Sequence, residues 1–76
     1  MMKNVKIYTS DTCGYCHMAK EYFNENGIAF DERNVTRDVE AKKELMKMGY
    51  MSVPVIIIDG ETVVGFDKQK IESLLK

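Results

Sequence analysis

Cys13 and Cys16 are the only two cysteines in the sequence, and their spacing suits chemistry better than it suits a structural staple. In the chain-entropy account, a disulfide closing so short a loop stabilises a fold by about 2 kcal/mol, against about 4 for one spanning most of a chain this size. A reversible dithiol needs the opposite arrangement, two sulfurs one helical turn apart. Residues at i and i+3 on a helix stand close enough to join without moving the backbone. A cysteine at a helix N-terminus also meets unpaired backbone N–H groups and the positive end of the dipole. Cys13 is placed to have its pKa lowered below the free-thiol value of about 8.5. Cys16, one turn in, has Ala19 and Phe23 at +3 and +7, which turns it toward the apolar side. The expected chemistry is thiol–disulfide exchange, with Cys13 as nucleophile and Cys16 as resolving thiol.

That assignment requires a strand ending, and a helix beginning, just before Cys13. Val5, Ile7 and Thr9 alternate with Lys6 and Tyr8, the period of a strand. Tyr15, Met18, Ala19, Tyr22 and Phe23 recur at helical spacing and predict one apolar helix face, with Gly27 as its stop. Ile28 and Phe30 around Ala29 suggest a second short strand, and the polar stretch Asp31 to Asp38 a solvated connection. Ala41, Leu45 and Met48 predict a second helix, capped by Gly49.

The only proline, Pro54, precedes Val55-Ile56-Ile57-Ile58, a run with no alternation and so a strand buried on both faces. Asp59-Gly60 signals a tight hairpin into Thr62-Val63-Val64. Asp67 is a candidate N-cap for a last helix with Ile71, Leu74 and Leu75 on its apolar side. The order β-α-β-α-β-β-α implies an α/β class: a parallel β-α-β opening, an antiparallel closing hairpin, and a small mixed sheet covered by helices.

A chain of 76 residues sets the expectation of a single domain, 1–76. Hydrophobic residues at 45% and charged ones at 30% fit a globular protein rather than a disordered one. A net charge of −1 argues against nonspecific binding to nucleic acid or to an anionic membrane. No apolar run approaches the ~20 residues of a membrane span. Met1 to Lys6 has no apolar core or cleavage site of an export signal and reads as the start of the first strand, so the expected setting is cytoplasmic.

Taken together, Tyr8-Thr9, Cys13-Gly14-Tyr15-Cys16-His17, Ser52-Val53-Pro54 and Gly65-Phe66-Asp67 resemble a glutaredoxin, or a glutaredoxin-like redoxin, of the thioredoxin-fold superfamily. The resemblance covers nearly the whole chain and implies a four-stranded thioredoxin-type sheet with three helices. It implies that Pro54 is cis and faces the cysteines, and that Val53 pairs through its backbone with an extended substrate. Tyr15 would shape the lip of the site, and Asp67 matches the family's contact to the glutathione amino group. Many members carry a lysine just ahead of the motif, for a glutathione carboxylate; the matching position here is Ser10, followed by Asp11. The Gly65-Phe66 pair looks more like redoxins that thioredoxin reductase reduces. The implied protein is a monomeric dithiol–disulfide oxidoreductase with no bound cofactor. It would act on disulfide-containing proteins and draw electrons from glutathione or from a flavoprotein thioredoxin reductase.

Three other uses of the motif have to be weighed. Cys13 to His17 also spells a c-type haem attachment sequence, which requires export. Zinc requires four ligands and finds two thiols and one histidine nearby. His17 is as well explained by a solvated helix surface as by support of the Cys13 thiolate. Some glutaredoxins with a small residue where Gly14 stands bridge an iron–sulfur cluster between two subunits, through the first cysteine and glutathione. Protein purified without oxygen separates that reading from the oxidoreductase. The oxidoreductase predicts a colourless, metal-free monomer, whereas a visible charge-transfer band on a dimer identifies the cluster.

Overall fold

The computed structural model describes residues 4–75, and the expected strand start at residues 1–3 lies outside them. Its elements are β1 (Val5–Thr9), α1 (Gly14–Glu25), β2 (Asp31–Asn34), α2 (Val39–Lys47), β3 (Val55–Ile58), β4 (Glu61–Val64) and α3 (Lys68–Leu75). The strands form one sheet in the order β2-β1-β3-β4. β1 and β2 are parallel, while β1–β3 and β3–β4 are antiparallel. This is the small mixed sheet with three helices expected from the sequence.

Strand alternation divides the core between the two faces. Val5, Ile7, Ile56, Ile58 and Val63 meet Ala19 and Phe23 of α1 and Ile71 of α3. Residues of opposite parity, Tyr8 and Val55, meet Leu45 of α2. β3 is interior, which explains its unbroken apolar run: Val55, Ile56 and Ile58 are all buried. At the hairpin Asp59 and Gly60 both have positive φ, 49° and 86°, the pair of left-handed conformations that a tight two-residue turn between twisted strands demands.

Three expectations are corrected. The second strand is Asp31–Asn34, not Ile28–Phe30. As an edge strand β2 needs only backbone pairing with β1, from Lys6↔Asp31 to Thr9↔Asn34. Ile28 and Phe30 instead pack against the first core cluster from the connection before it. The stretch after Asp31 is likewise no simple solvated link, because Arg33 bonds Glu44 of α2 through Nη2 at 2.9 Å. Finally, the buried face of α1 is Cys16, Ala19 and Phe23, while Tyr15, Met18 and, at the end of α2, Met48 are exposed. Helical periodicity drew the apolar stripe too wide, and the sheet covers only its inner edge. Among the described residues no helix is long and apolar enough to cross a membrane.

The two sides of α1 should separate in a stability measurement. Phe23→Ala empties a fully buried site and is expected to cost about 3–5 kcal/mol in urea unfolding of the oxidised protein. Met18→Ala should stay within about 0.5 kcal/mol of the parent. Comparable losses at both would contradict the packing described.

Candidate active site

β1 ends at Thr9, and four residues later the chain enters α1 with Cys13 as its N-cap, in extended conformation at φ −94° and ψ 105°. An N-cap side chain normally offers an oxygen to the first-turn N–H groups. Here the acceptor is sulfur: the Cys16 N–H donates to Cys13 Sγ across 3.0 Å. The Cys13 carbonyl accepts from the His17 N–H at 3.3 Å, which starts the helix ladder. The two cysteines form a disulfide with Cα atoms 5.2 Å apart. Cys13 is half-buried and Cys16 only 1% exposed. Cys16 Sγ lies 3.9 Å from the Tyr8 carbonyl oxygen, a dipole end that disfavours negative charge on that sulfur.

The sheet register brings two other segments to the same end. β1 and β3 run antiparallel with Tyr8 opposite Val55, so Pro54 sits where β1 gives way to the cysteine loop. The Val53–Pro54 peptide is cis. Val64 pairs with Val55, and just beyond it the Gly65 N–H donates to the Pro54 carbonyl at 2.8 Å. That bond leads the chain to Asp67, whose Oδ1 accepts from Lys70 N at 3.3 Å at the start of α3. Asp67 is therefore seated as the expected cap. Tyr15 projects into solvent from the first turn of α1, 66% exposed.

Two depressions flank the cysteine loop and meet at Ser10. One is an apolar groove of about 460 Å³ on the α2 side, where Val53, Tyr50, Met46 and Met51 line the wall. The other is a polar cleft of about 300 Å³ lined by both cysteines together with Asp11, His17, Lys20, Glu32, Asn34 and Arg37. Val53 belongs to the first, the cysteines to the second, and neither Tyr15 nor Asp67 lines either one. Among the described residues no three His, Cys, Asp or Glu side chains gather into a group.

The charged lining of the polar cleft is the part sequence reasoning missed. Glu32 Oε2 accepts from the fully buried Thr9 hydroxyl at 2.7 Å and from Lys20 Nζ at 2.9 Å. Partial burial pushes the Glu32 carboxyl up, but these two hydrogen bonds and the positive charge of Lys20 and Arg37 outweigh it and leave it below its ordinary value. Asp11 is also held below the ordinary carboxylate range, chiefly by the hydrogen bond from Asn34 and further by Arg37. On the far face of β1, burial and the bond to Glu44 push the Tyr8 hydroxyl up. The only local signal in the sequence was an acidic residue before the motif. β1–β2 pairing brings Glu32 to Thr9, and Asn34 and Arg37 to Asp11, across more than twenty positions. His17 does not reach Cys13 with its ring, which pairs with Glu21 at 3.1 Å on the exposed helix surface.

Comparison with known proteins supplies the context. A protein-family model described as Glutaredoxin matches residues 5–63. A glutaredoxin-like 8.6 kDa protein from the rubredoxin operon of Clostridium pasteurianum is 40% identical over 73 residues, covering 95% of this chain and 97% of that one. Glutaredoxin 3 of Escherichia coli (strain K12) is 39% identical over 67 residues, covering 87% and 81%. Among solved structures, the glutaredoxin-like NrdH-redoxin of Escherichia coli superposes with a TM-score of 0.83 at 32% identity, covering 93% of each chain. That protein is described as having a thioredoxin-like activity profile.

A pH effect follows from the Glu32 network. Its carboxyl titrates lower folded than unfolded, so its contribution is fully present above the unfolded value and is lost as pH falls through the folded one. Thermal unfolding from about pH 6 down to about pH 2 should therefore show a smaller acid-side drop in midpoint for Glu32→Gln than for the parent. An equal drop in both would show that Glu32 has no part in acid destabilisation.

Proposed function

The chain belongs to the glutaredoxin family of thiol–disulfide oxidoreductases, and we propose that Cys13 attacks substrate disulfides, that Cys16 resolves the mixed disulfide, and that a flavoprotein of the thioredoxin-reductase type returns the electrons. The observation that carries the division of labour is the unlike surroundings of the two sulfurs. Cys13 Sγ is the half-exposed acceptor of a first-turn N–H, an arrangement that favours a thiolate. Cys16 is enclosed beside a carbonyl oxygen and keeps its proton more readily.

In the forward reaction the Cys13 thiolate attacks one sulfur of the substrate disulfide. That bond breaks, its other sulfur leaves as a thiolate and takes up a proton, and a mixed disulfide remains on Cys13. Cys16 then loses its proton and attacks Cys13 Sγ, releasing the second substrate thiol. Two electrons have passed to the substrate, and the chain is left with its Cys13–Cys16 disulfide. The disulfide-bonded structure is that oxidised state. Two electrons from a reduced partner restore the dithiol, with no resident cofactor in the cycle.

Val53 lies just before the cis-proline and lines the apolar groove beside the cysteine loop. We assign it, with Pro54, to hold the extended backbone of a protein substrate, with Tyr15 as the outer lip. Asp67 would meet an ammonium group of a bound thiol peptide if glutathione does enter. The reductase is favoured over glutathione by Ser10-Asp11 ahead of the motif, by Gly65-Phe66, and by likeness to a redoxin with a thioredoxin-like activity profile. A dithiol that must be reopened each turn suits a reducing compartment such as the cytoplasm.

Cys13→Ser should abolish reduction of a small mixed disulfide, and Cys16→Ser should accumulate a covalent adduct with protein disulfides, read by non-reducing electrophoresis. Full activity in Cys13→Ser would sink the assignment. For the reductant, oxidised protein is mixed with NADPH and thioredoxin reductase or with glutathione. The reductase should be much the faster of the two, and the reverse order would return glutathione as the donor.

A further inference from the structure

The polar cleft beside the cysteines contains three basic side chains, and each is already matched by a carboxylate of the chain. Lys20 Nζ is 2.9 Å from Glu32 Oε2, and His17 Nε2 is 3.1 Å from Glu21 Oε1. Arg37 Nε reaches both carboxylate oxygens of Asp11, at 3.0 and 3.3 Å. Asp11 is fixed from two further directions. Its carboxylate accepts from Asn34 Nδ2 at 2.9 Å, and its backbone N–H donates to Thr36 Oγ1 at 3.1 Å. The carboxylate is thereby tied to the end of β2 and the loop after it, and it lines the cleft together with Cys13.

We propose that Asp11 is a specificity-determining residue for the reductant: latched to Arg37, it withholds a guanidinium of the cleft from thiols that carry carboxylates, glutathione among them. This rests on the reading that an incoming thiol attacks Cys13. Glutathione has two carboxylates and one ammonium group. In this cleft its carboxylates find the guanidinium already occupied by Asp11. A protein reductase presents its dithiol from a folded surface and does not depend on a cation at this point.

The disfavoured step is itself ordinary exchange. One glutathione thiolate attacks Cys13 Sγ, the Cys13–Cys16 bond breaks, and Cys16 leaves as a thiolate and takes up a proton. A second glutathione thiolate attacks the first glutathione sulfur, Cys13 leaves as a thiolate, and glutathione disulfide departs. Two thiols have given two electrons to the chain.

The test follows reduction of the oxidised protein by glutathione and by 2-mercaptoethanol, a thiol with no carboxylate, in the parent, Asp11→Asn, Arg37→Gln and the double variant. Using the ratio of the two rates removes any general change in Cys13 reactivity. Asp11→Asn keeps the size of the side chain and an acceptor for Arg37. It is expected to raise the glutathione to mercaptoethanol ratio about two- to fivefold, the scale of one exposed ion pair. The gain should vanish in the double variant, and also at about 1 M salt, where charges are screened within about 3 Å. An unchanged ratio in Asp11→Asn, or a gain that survives Arg37→Gln, overturns the proposal. The parent's own glutathione rate tests the reductant proposed above, whereas the change in ratio tests Asp11 alone.

Discussion

Cys13 caps α1 with sulfur where other helices use oxygen, and the N–H it satisfies belongs to the residue it is bonded to, Cys16. One hydrogen bond thus orients the first turn and sets the Cys13 sulfur against the positive end of the helix, while the disulfide holds the two Cα atoms 5.2 Å apart. The helix can be held at that angle because Cys16, Ala19 and Phe23 form a single buried stripe against the sheet. If the stripe slipped by one residue, Cys16 would turn toward solvent and the two thiols would become alike. Packing several ångströms away therefore maintains the difference between them.

The sheet contributes by bringing unlike segments to one end. Antiparallel pairing of β3 with both β1 and β4 carries the cis Val53–Pro54 peptide and the Gly65–Asp67 turn to the end where the cysteine loop leaves β1. β2, parallel and at the edge, supplies charge rather than apolar cover. Glu32 reaches Thr9 and Lys20, and the chain just beyond β2 returns Arg37 to Asp11. The result is a dithiol between two different walls, an apolar one suited to a protein backbone and a polar one whose charges are already satisfied.

Much of this was legible in the sequence because it depends on short periods. Alternation in β1, the unbroken run of β3, the Asp59-Gly60 turn and the Asp67 cap each came from a few adjacent residues, and so did the unequal placing of Cys13 and Cys16. What escaped notice depends on pairing across the chain. Asp31–Asn34 has no apolar pattern, since an edge strand can be held by backbone bonds alone, and Ile28 and Phe30 drew attention to the wrong segment. The Asp11–Arg37 and Thr9–Glu32 contacts exist only after β1 and β2 are laid side by side. Met18 and Tyr15 fitted the helical stripe but lie beyond what the sheet covers.

The proposed division of labour needs two sulfurs that differ in their affinity for a proton because of where α1 begins. Ultraviolet thiolate absorbance, followed against pH in the single-thiol variants Cys16→Ser and Cys13→Ser, measures that difference directly. Cys13 alone should ionise below the free-thiol value of about 8.5, and Cys16 alone above it. Superimposable titrations, or the reverse order, would contradict it.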